Sequence, residues 1–341
     1  MMRPHRQEIH APRDRSLGAG LVRRPTRQRG VAVLLAMLTV ALVATLAATA
    51  MWQQWRGVDI EARERERLQA GWILTGALDW ARLILREDGR SGGPDHLAEP
   101  WSIELRDTRL TTFLAMEPGT SDLGDDTFLS GHITDAQARL NVNNLIVGNR
   151  VSEPDQQAFE RLFDALGLAR SELDAMVANL QLTVAGNGSQ DDSRPVPITP
   201  RRVEQLRWLG LSAASVATLA PYVTVLPTRT QVNLNTADAL VIEARIPDLD
   251  ASDARNLVAA RARTPFRTLS EVSRLLPAGA AVLNPSEVGV ATRFFEIRGR
   301  LRLQETEVIE HSLVQRNGIM VTTVWRDREV SDARASSAPT R

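Results

Sequence analysis

No cysteine occurs in the 341 residues, which excludes disulfides, thiolate nucleophiles and zinc–sulfur centres. Lysine is absent as well, and all 41 basic residues are arginine, so a P-loop lysine and Schiff-base chemistry are excluded too. No charge of either sign is in excess: 41 acids balance the arginines, and nothing pulls the whole chain toward nucleic acid. The five histidines, at 5, 10, 96, 132 and 311, include no pair at metal-ligand spacing. His96 with Asp95 and Glu99, or His132 with Asp135, would be the only acid/base pairs to consider. No nucleophile or second convergent motif accompanies them, so they read as ordinary surface or turn residues and the chain as no enzyme. What the chain does have is 43% hydrophobic residues, too many for a wholly disordered polymer.

Charge is uneven locally. Residues 1–30 hold eight arginines against Glu8 and Asp14. From Gly30 to Trp55 nothing ionises, and Val31–Ala50 is apolar apart from three threonines. Twenty residues at about 1.5 Å each span roughly 30 Å, a bilayer core. Trp52 and Trp55 follow at interface depth, and the arginine excess places the amino terminus in the cytoplasm. A cleaved secretory signal would have a shorter apolar core and a small-residue site at its far end. A plain signal anchor is the second reading. The third rests on Arg29-Gly30-Val31: a basic stretch ending in glycine before the apolar run resembles the leader of type IV pilin-like proteins. That resemblance implies cleavage between Gly30 and Val31, with the helix retained.

Helical patterning continues through residue 86. Leu68, Trp72, Thr75/Gly76, Asp79/Trp80 and Leu83 form a mostly apolar stripe, and Glu61/Arg65 and Glu64/Arg67 are ion-pair neighbours. Strand patterning is clearest late in the chain. In Phe294–Leu303, Phe295, Ile297, Leu301 and Leu303 alternate with charged residues. Residues 305–315 and 319–326 flank Asn317-Gly318, a hairpin signal that calls for positive φ at both central residues. Earlier strand candidates are Trp101–Leu105 and Thr127–Thr134. A sheet with one face to bury and a helix with an apolar stripe predict an α+β fold in which the helix lies on an antiparallel sheet. Asp122–Asp126, with three acids, reads as a solvated loop in preference to a calcium site.

Residues 150–290 change to short helices separated by caps and prolines. Ser152, Ser171, Ser212 and Ser252 open helices, Asn235 or Thr236 another, and Thr268 with Glu271 forms a capping box. Residues 232–272 look like a helix-hairpin-helix, a module of many DNA-binding proteins. Its hairpin, Pro247–Ser252, lacks glycine and adds Asp248 and Asp250, with Asp253 following, where phosphate oxygens would sit. A membrane-anchored DNA-uptake protein is therefore the alternative function, and nucleic acid is not the expected partner.

Several segments together carry a family resemblance: the Gly30–Val31 junction with its span, DHLAEPW (95–101), GHITDAQARLNVNNL (131–145), APYVTVLP (220–227) and VNLNTADAL (232–240). The chain resembles the K-type minor pseudopilin of bacterial type II secretion. The resemblance implies a non-enzymatic, single-pass inner-membrane protein with its bulk in the periplasm. It implies a place at the pseudopilus tip, initiating assembly and supporting export of folded proteins across the outer membrane. Implied partners are the I and J minor pseudopilins, with the H type as a further candidate, the major pseudopilin and prepilin peptidase. Most pseudopilins have glutamate as the fifth mature residue; here it is Leu35, as in the K type. Calcium is known in some relatives. The acidic stretch expected after the first helices retains only Asp191 and Asp192, so no ligands are assigned and no cofactor is expected. The implied organisation is a basic leader (1–30), a transmembrane helix (31–55) and the first part of a pilin-like domain (56–149). Two small helical modules of SAM or helix-hairpin-helix type follow (150–230 and 231–292), then returning strands (293–330) and a polar tail (331–341).

Overall fold

The computed structural model describes residues 29–114, 127–186, 197–277, 282–303 and 306–332. The expectations for the leader, for Asp122–Asp126, for Asp191 and Asp192 and for most of the tail lie outside those residues. Two compact units divide after Arg63. Helix α1 (Arg29–Ser91) supplies all of the first unit that is described and enters the second.

The second unit continues with β1 (Leu105–Arg109), α2 (Leu110–Leu114) and β2 (Thr127–Asp135). The middle of the chain follows: β3 (Leu140–Asn141), β4 (Ile146–Val147), β5 (Arg150–Val151), α3 (Glu153–Ala165), α4 (Arg170–Gly186) and α5 (Ala213–Leu219). Then come β6 (Val223–Thr224), β7 (Val232–Asn233), α6 (Ala239–Arg245), α7 (Ala251–Arg263), α8 (Leu269–Ser273) and β8 (Val288–Gly289). Three long strands end the unit: β9 (Phe294–Leu303), β10 (Thr306–Asn317) and β11 (Met320–Asp332).

Five strands form one antiparallel sheet in the order β1-β2-β9-β10-β11. β2 and β9 are neighbours in register from Thr127↔Leu303 to Asp135↔Phe295, so the early and late halves of the chain share the sheet. The α+β expectation of a helix on an interrupted antiparallel sheet describes this architecture. Its helix face does not. The residues of α1 that the sheet buries are Ala70, Leu74, Leu78, Ala81 and Leu85. Leu68 and Trp72 are 59% and 77% exposed, and Leu83 is exposed as well. The apolar stripe read from the sequence is thus the outer face. Two alanines in the inner stripe let the helix approach closely, and small residues carry little weight in a hydrophobicity pattern. Arg82 clamps the contact by donating to the Val321 carbonyl at 2.7 and 3.2 Å.

Three local expectations change. Trp101 is not in a strand. It lies in a 3-10 turn (Pro100–Ser102) after a proline, fully buried and edge-on to Phe295 at 5.2 Å. The β10–β11 hairpin closes at Asn317↔Met320, so its central residues are Gly318 and Ile319 and only Gly318 has positive φ, the II′ pattern. A hairpin turn with positive φ at both central residues is Gly148-Asn149, between β4 and β5. In the middle segment Asp238 and Asp250, not Asn235, Thr236 or Ser252, cap α6 and α7. Short two-stranded ladders β3–β6 and β7–β8 run parallel there, and one continuous cluster from Leu140 to Val288 serves both groups of helices.

Candidate functional site

The membrane segment comes first in the chain. Gly30 and Val31 are helical and lie at the start of the described part of α1 (Arg29–Ser91). The helix from Gly30 is long and apolar enough to cross a membrane, and its most apolar window is wholly unburied. A side chain added at Gly30 would meet no atom of the described residues within 4 Å, so no packing among them calls for glycine at that position.

Within the second unit, the outer face of α1 carries large apolar side chains that no described residue buries. Leu68, Trp72 and Leu83 are exposed; Trp80 is partly covered by the edge of Phe113, 5.5 Å away. Large exposed apolar stripes of this kind mark protein–protein contact.

A buried polar junction ties the sheet to the middle segment. Asp95 accepts from Thr292 N–H at 2.7 Å and from Arg316, while its backbone N–H donates to Val290 O at 2.9 Å. Asn233 donates to the Asp95 carbonyl and to the Asp135 carboxylate. Asp135 also accepts from Thr236 Oγ at 2.6 Å and from Gln137 N–H at 2.7 Å. Sequence reasoning set Asp95, Glu99 and Asp135 aside as turn companions of histidines. The structure makes them the seam instead, and His96 contributes its backbone N–H to Glu99.

Asp88, Asp95 and Glu99 bring carboxylate oxygens within 4.8 Å of one another. The set does not fit a cation. Arg316 already donates to both Asp88 and Asp95, and Glu99 accepts the Trp101 indole N–H at 2.7 Å. A guanidinium fills the place of the cation. Burial pushes the Asp95 carboxyl up to about 6 against the pull of Arg316. Burial likewise pushes Glu99 up to about 7, against the His96 and Trp101 donors. Both groups hold their protons more tightly folded than unfolded. Their contribution is full below the unfolded values, near 4, and falls as pH rises through 6 to 7. His311, lowered first by burial and then by Arg298, works in the opposite direction. Glu99→Gln isolates the carboxylate effect. Chemical-denaturation midpoints of wild type should fall relative to this variant between pH 5 and pH 8, roughly the Glu99 window. Parallel profiles would refute the protonated junction.

In the helix-hairpin-helix-like segment, Asp248 takes φ of 60°, the left-handed position where glycine would be easiest. The Asp250 carboxylate accepts from Ser252 N–H and Asp253 N–H, at 2.7 and 2.8 Å. Those are the first amides of α7, the donors a phosphate would need. Carboxylate occupancy and exposed Asp248 argue against a DNA backbone here.

Comparison with known proteins agrees with this architecture. Two sequence profiles, both described as Type II secretion system (T2SS), protein K, match residues 138–228 and 232–291. The type II secretion system protein K of Klebsiella pneumoniae is 30% identical over 336 residues, covering 88% of this chain and 96% of the relative. The Pseudomonas aeruginosa protein of the same description is 27% identical over 323 residues, covering 89% and 90%. A chain of the crystal structure of the GspK-GspI-GspJ complex from the enterotoxigenic Escherichia coli type 2 secretion system matches at TM-score 0.60 and 19% identity. It covers 79% of this chain and 98% of its own, and shows the shared fold. A long apolar amino-terminal helix, a sheet split by a helical middle, and relatives matched almost end to end make this chain a member of the type II secretion system protein K family, a minor pseudopilin.

Proposed function

We propose that this minor pseudopilin caps the tip of a periplasmic pseudopilus, starts its assembly with I- and J-type subunits, and supports export of folded proteins. The observation that carries the reading is the outer face of α1, with Leu68, Trp72 and Leu83 bare in the isolated chain. The E. coli relative of this fold was solved in complex with GspI and GspJ, which supports the same class of partner here. Leu35 fits a tip position. A carboxylate within the bilayer needs a cationic partner, and a terminal subunit that lacks it buries no unpaired charge. The middle segment, with its own core, supplies the bulk of a cap. In this reading residues 1–30 are a cytoplasmic leader, 31–55 the inner-membrane anchor, and 56–149 with 293–330 the pilin-like domain around helical modules 150–230 and 231–292. DNA uptake is the weaker reading because Asp250 holds the amides that would bind phosphate.

Processing tests it. Amino-terminal sequencing of protein extracted from membranes should begin at Val31, and Gly30→Leu should leave the leader attached. Since nothing among the described residues packs on Gly30, a block can be assigned to the peptidase step and not to misfolding. A mature chain starting near Met51, or an uncut Met1 in wild type, would reject the pilin-like pathway.

A further inference from the structure

The sheet face turned away from α1 carries an arrangement that neither the anchor nor the outer helix face uses. His132 on β2, Arg298 on β9 and His311 on β10 are direct cross-strand partners, so their side chains form one row across three strands. The row lines a notch of 160 Å³ that Trp325 and Glu296 also border. Water occupies about 30 Å³ in the liquid, so the notch has room for a side-chain carboxyl group and a companion water.

Two donors at this notch are unspent. Arg298 is exposed and makes no side-chain hydrogen bond or ion pair among the described residues. The Trp325 indole N–H is buried and finds no acceptor there. A buried donor without a partner is unfavourable, and an indole can only donate. The neighbouring charges are already matched. Glu296 holds Arg139 at 2.6 Å, and Asp327 holds Arg202 at 2.5 Å, while Arg202 lies over the Trp325 ring. Glu329 is the remaining acid that acts on His311. What is left over is a guanidinium and two imidazoles lining the notch, with the buried indole of Trp325 in its wall.

We propose that this notch binds a carboxylate, the acidic side chain of a partner protein seated on the sheet face opposite α1. The guanidinium would carry the charge, the Trp325 ring would wall the notch, and His311 would add charge as it protonates. Glu296 sets the limit: with its own arginine it tolerates one incoming acid at the arginine side, not a polyanion.

The test uses the full chain in detergent micelles with ¹⁵N-labelled tryptophan. Seven indole signals are expected, and Trp325→Phe identifies one of them. The probe is an acetylated and amidated peptide with one central glutamate in alanines, and its glutamine counterpart is the control. The Trp325 signal should move saturably with the glutamate peptide and not with the glutamine peptide. Arg298→Gln should weaken binding at least tenfold, and binding should tighten from pH 7.5 to pH 5.5, a gain that His311→Asn reduces. An unmoved Trp325 signal, an equal response to the glutamine peptide, or full binding by Arg298→Gln would overturn the assignment. Arg298 is exposed, so its substitution leaves the sheet intact. Failure here would leave the tip reading standing, since processing and the α1 face are measured separately.

Discussion

Arg245→Met is expected to lower the unfolding free energy by about 3–5 kcal/mol, read by urea titration of a fragment beginning at Glu64. Arg245 ends α6 with its side chain 2% exposed, and it forms ion pairs with Asp155 at 2.7 Å and with Glu287. Asp155 sits equally buried in the first turn of α3 and takes Arg229 at 2.7 Å on its other oxygen. The network therefore joins the two groups of helices inside one core. Methionine keeps most of the volume, so the loss reports charge and not a cavity. It leaves Asp155 with half-exposed Arg229 and Glu287 without its cation. Replacing Asp155 as well, by leucine, should recover much of the loss, because removing both sides of a buried pair is far cheaper than removing one. The exposed Arg170–Asp164 pair supplies the contrast: Arg170→Met should have a much smaller effect. A small loss at Arg245 would mean that water solvates the orphaned acids and that the two helical groups are less firmly joined.

Periodicity made the sheet legible. β9 alternates almost perfectly, and its Phe295, Ile297 and Leu301 pack with α1. The same method misplaced the helix face because tryptophan outweighs alanine in any apolar count, and two of the five α1 residues buried on the sheet are Ala70 and Ala81, while Leu74 sits against Gly299. The seam was not legible for a different reason. Asp95, Asp135 and Asn233 meet across 138 and 98 residues of separation, and nothing local distinguishes a buried asparagine from a turn asparagine. The one available signal was asparagine repeated within apolar runs, at Asn141, Asn144, Asn233 and Asn235, all of which are buried and hydrogen-bonded to loop backbone. The ion network escaped notice because charge patterning sees neighbours at helical spacing, and Asp155 and Arg245 are 90 residues apart.

The two faces of α1 should separate under substitution by glutamate. Leu74 is 1% exposed, packed with Leu129, Leu301 and Val308. Leu74→Glu places a carboxylate among these side chains with no donor beside it, and the sheet domain should lose several kcal/mol or fail to fold. Trp72→Glu lies two residues away and points outward at 77% exposure. Glutamate is at least as good a helix former as tryptophan, so folding stability should stay within about 0.5 kcal/mol of wild type. Partner capture should not. A bare tryptophan on an interface is the kind of residue whose removal costs about 2 kcal/mol or more, roughly thirtyfold in affinity. Co-purification of the processed, membrane-extracted chain with I- and J-type pseudopilins should therefore collapse for Trp72→Glu while its circular dichroism and melting remain those of wild type. Leu68→Glu, one turn earlier on the same face, should behave alike. If both variants assemble normally, the exposed stripe is not the pseudopilin contact and the sheet, not the helix, must hold the complex together.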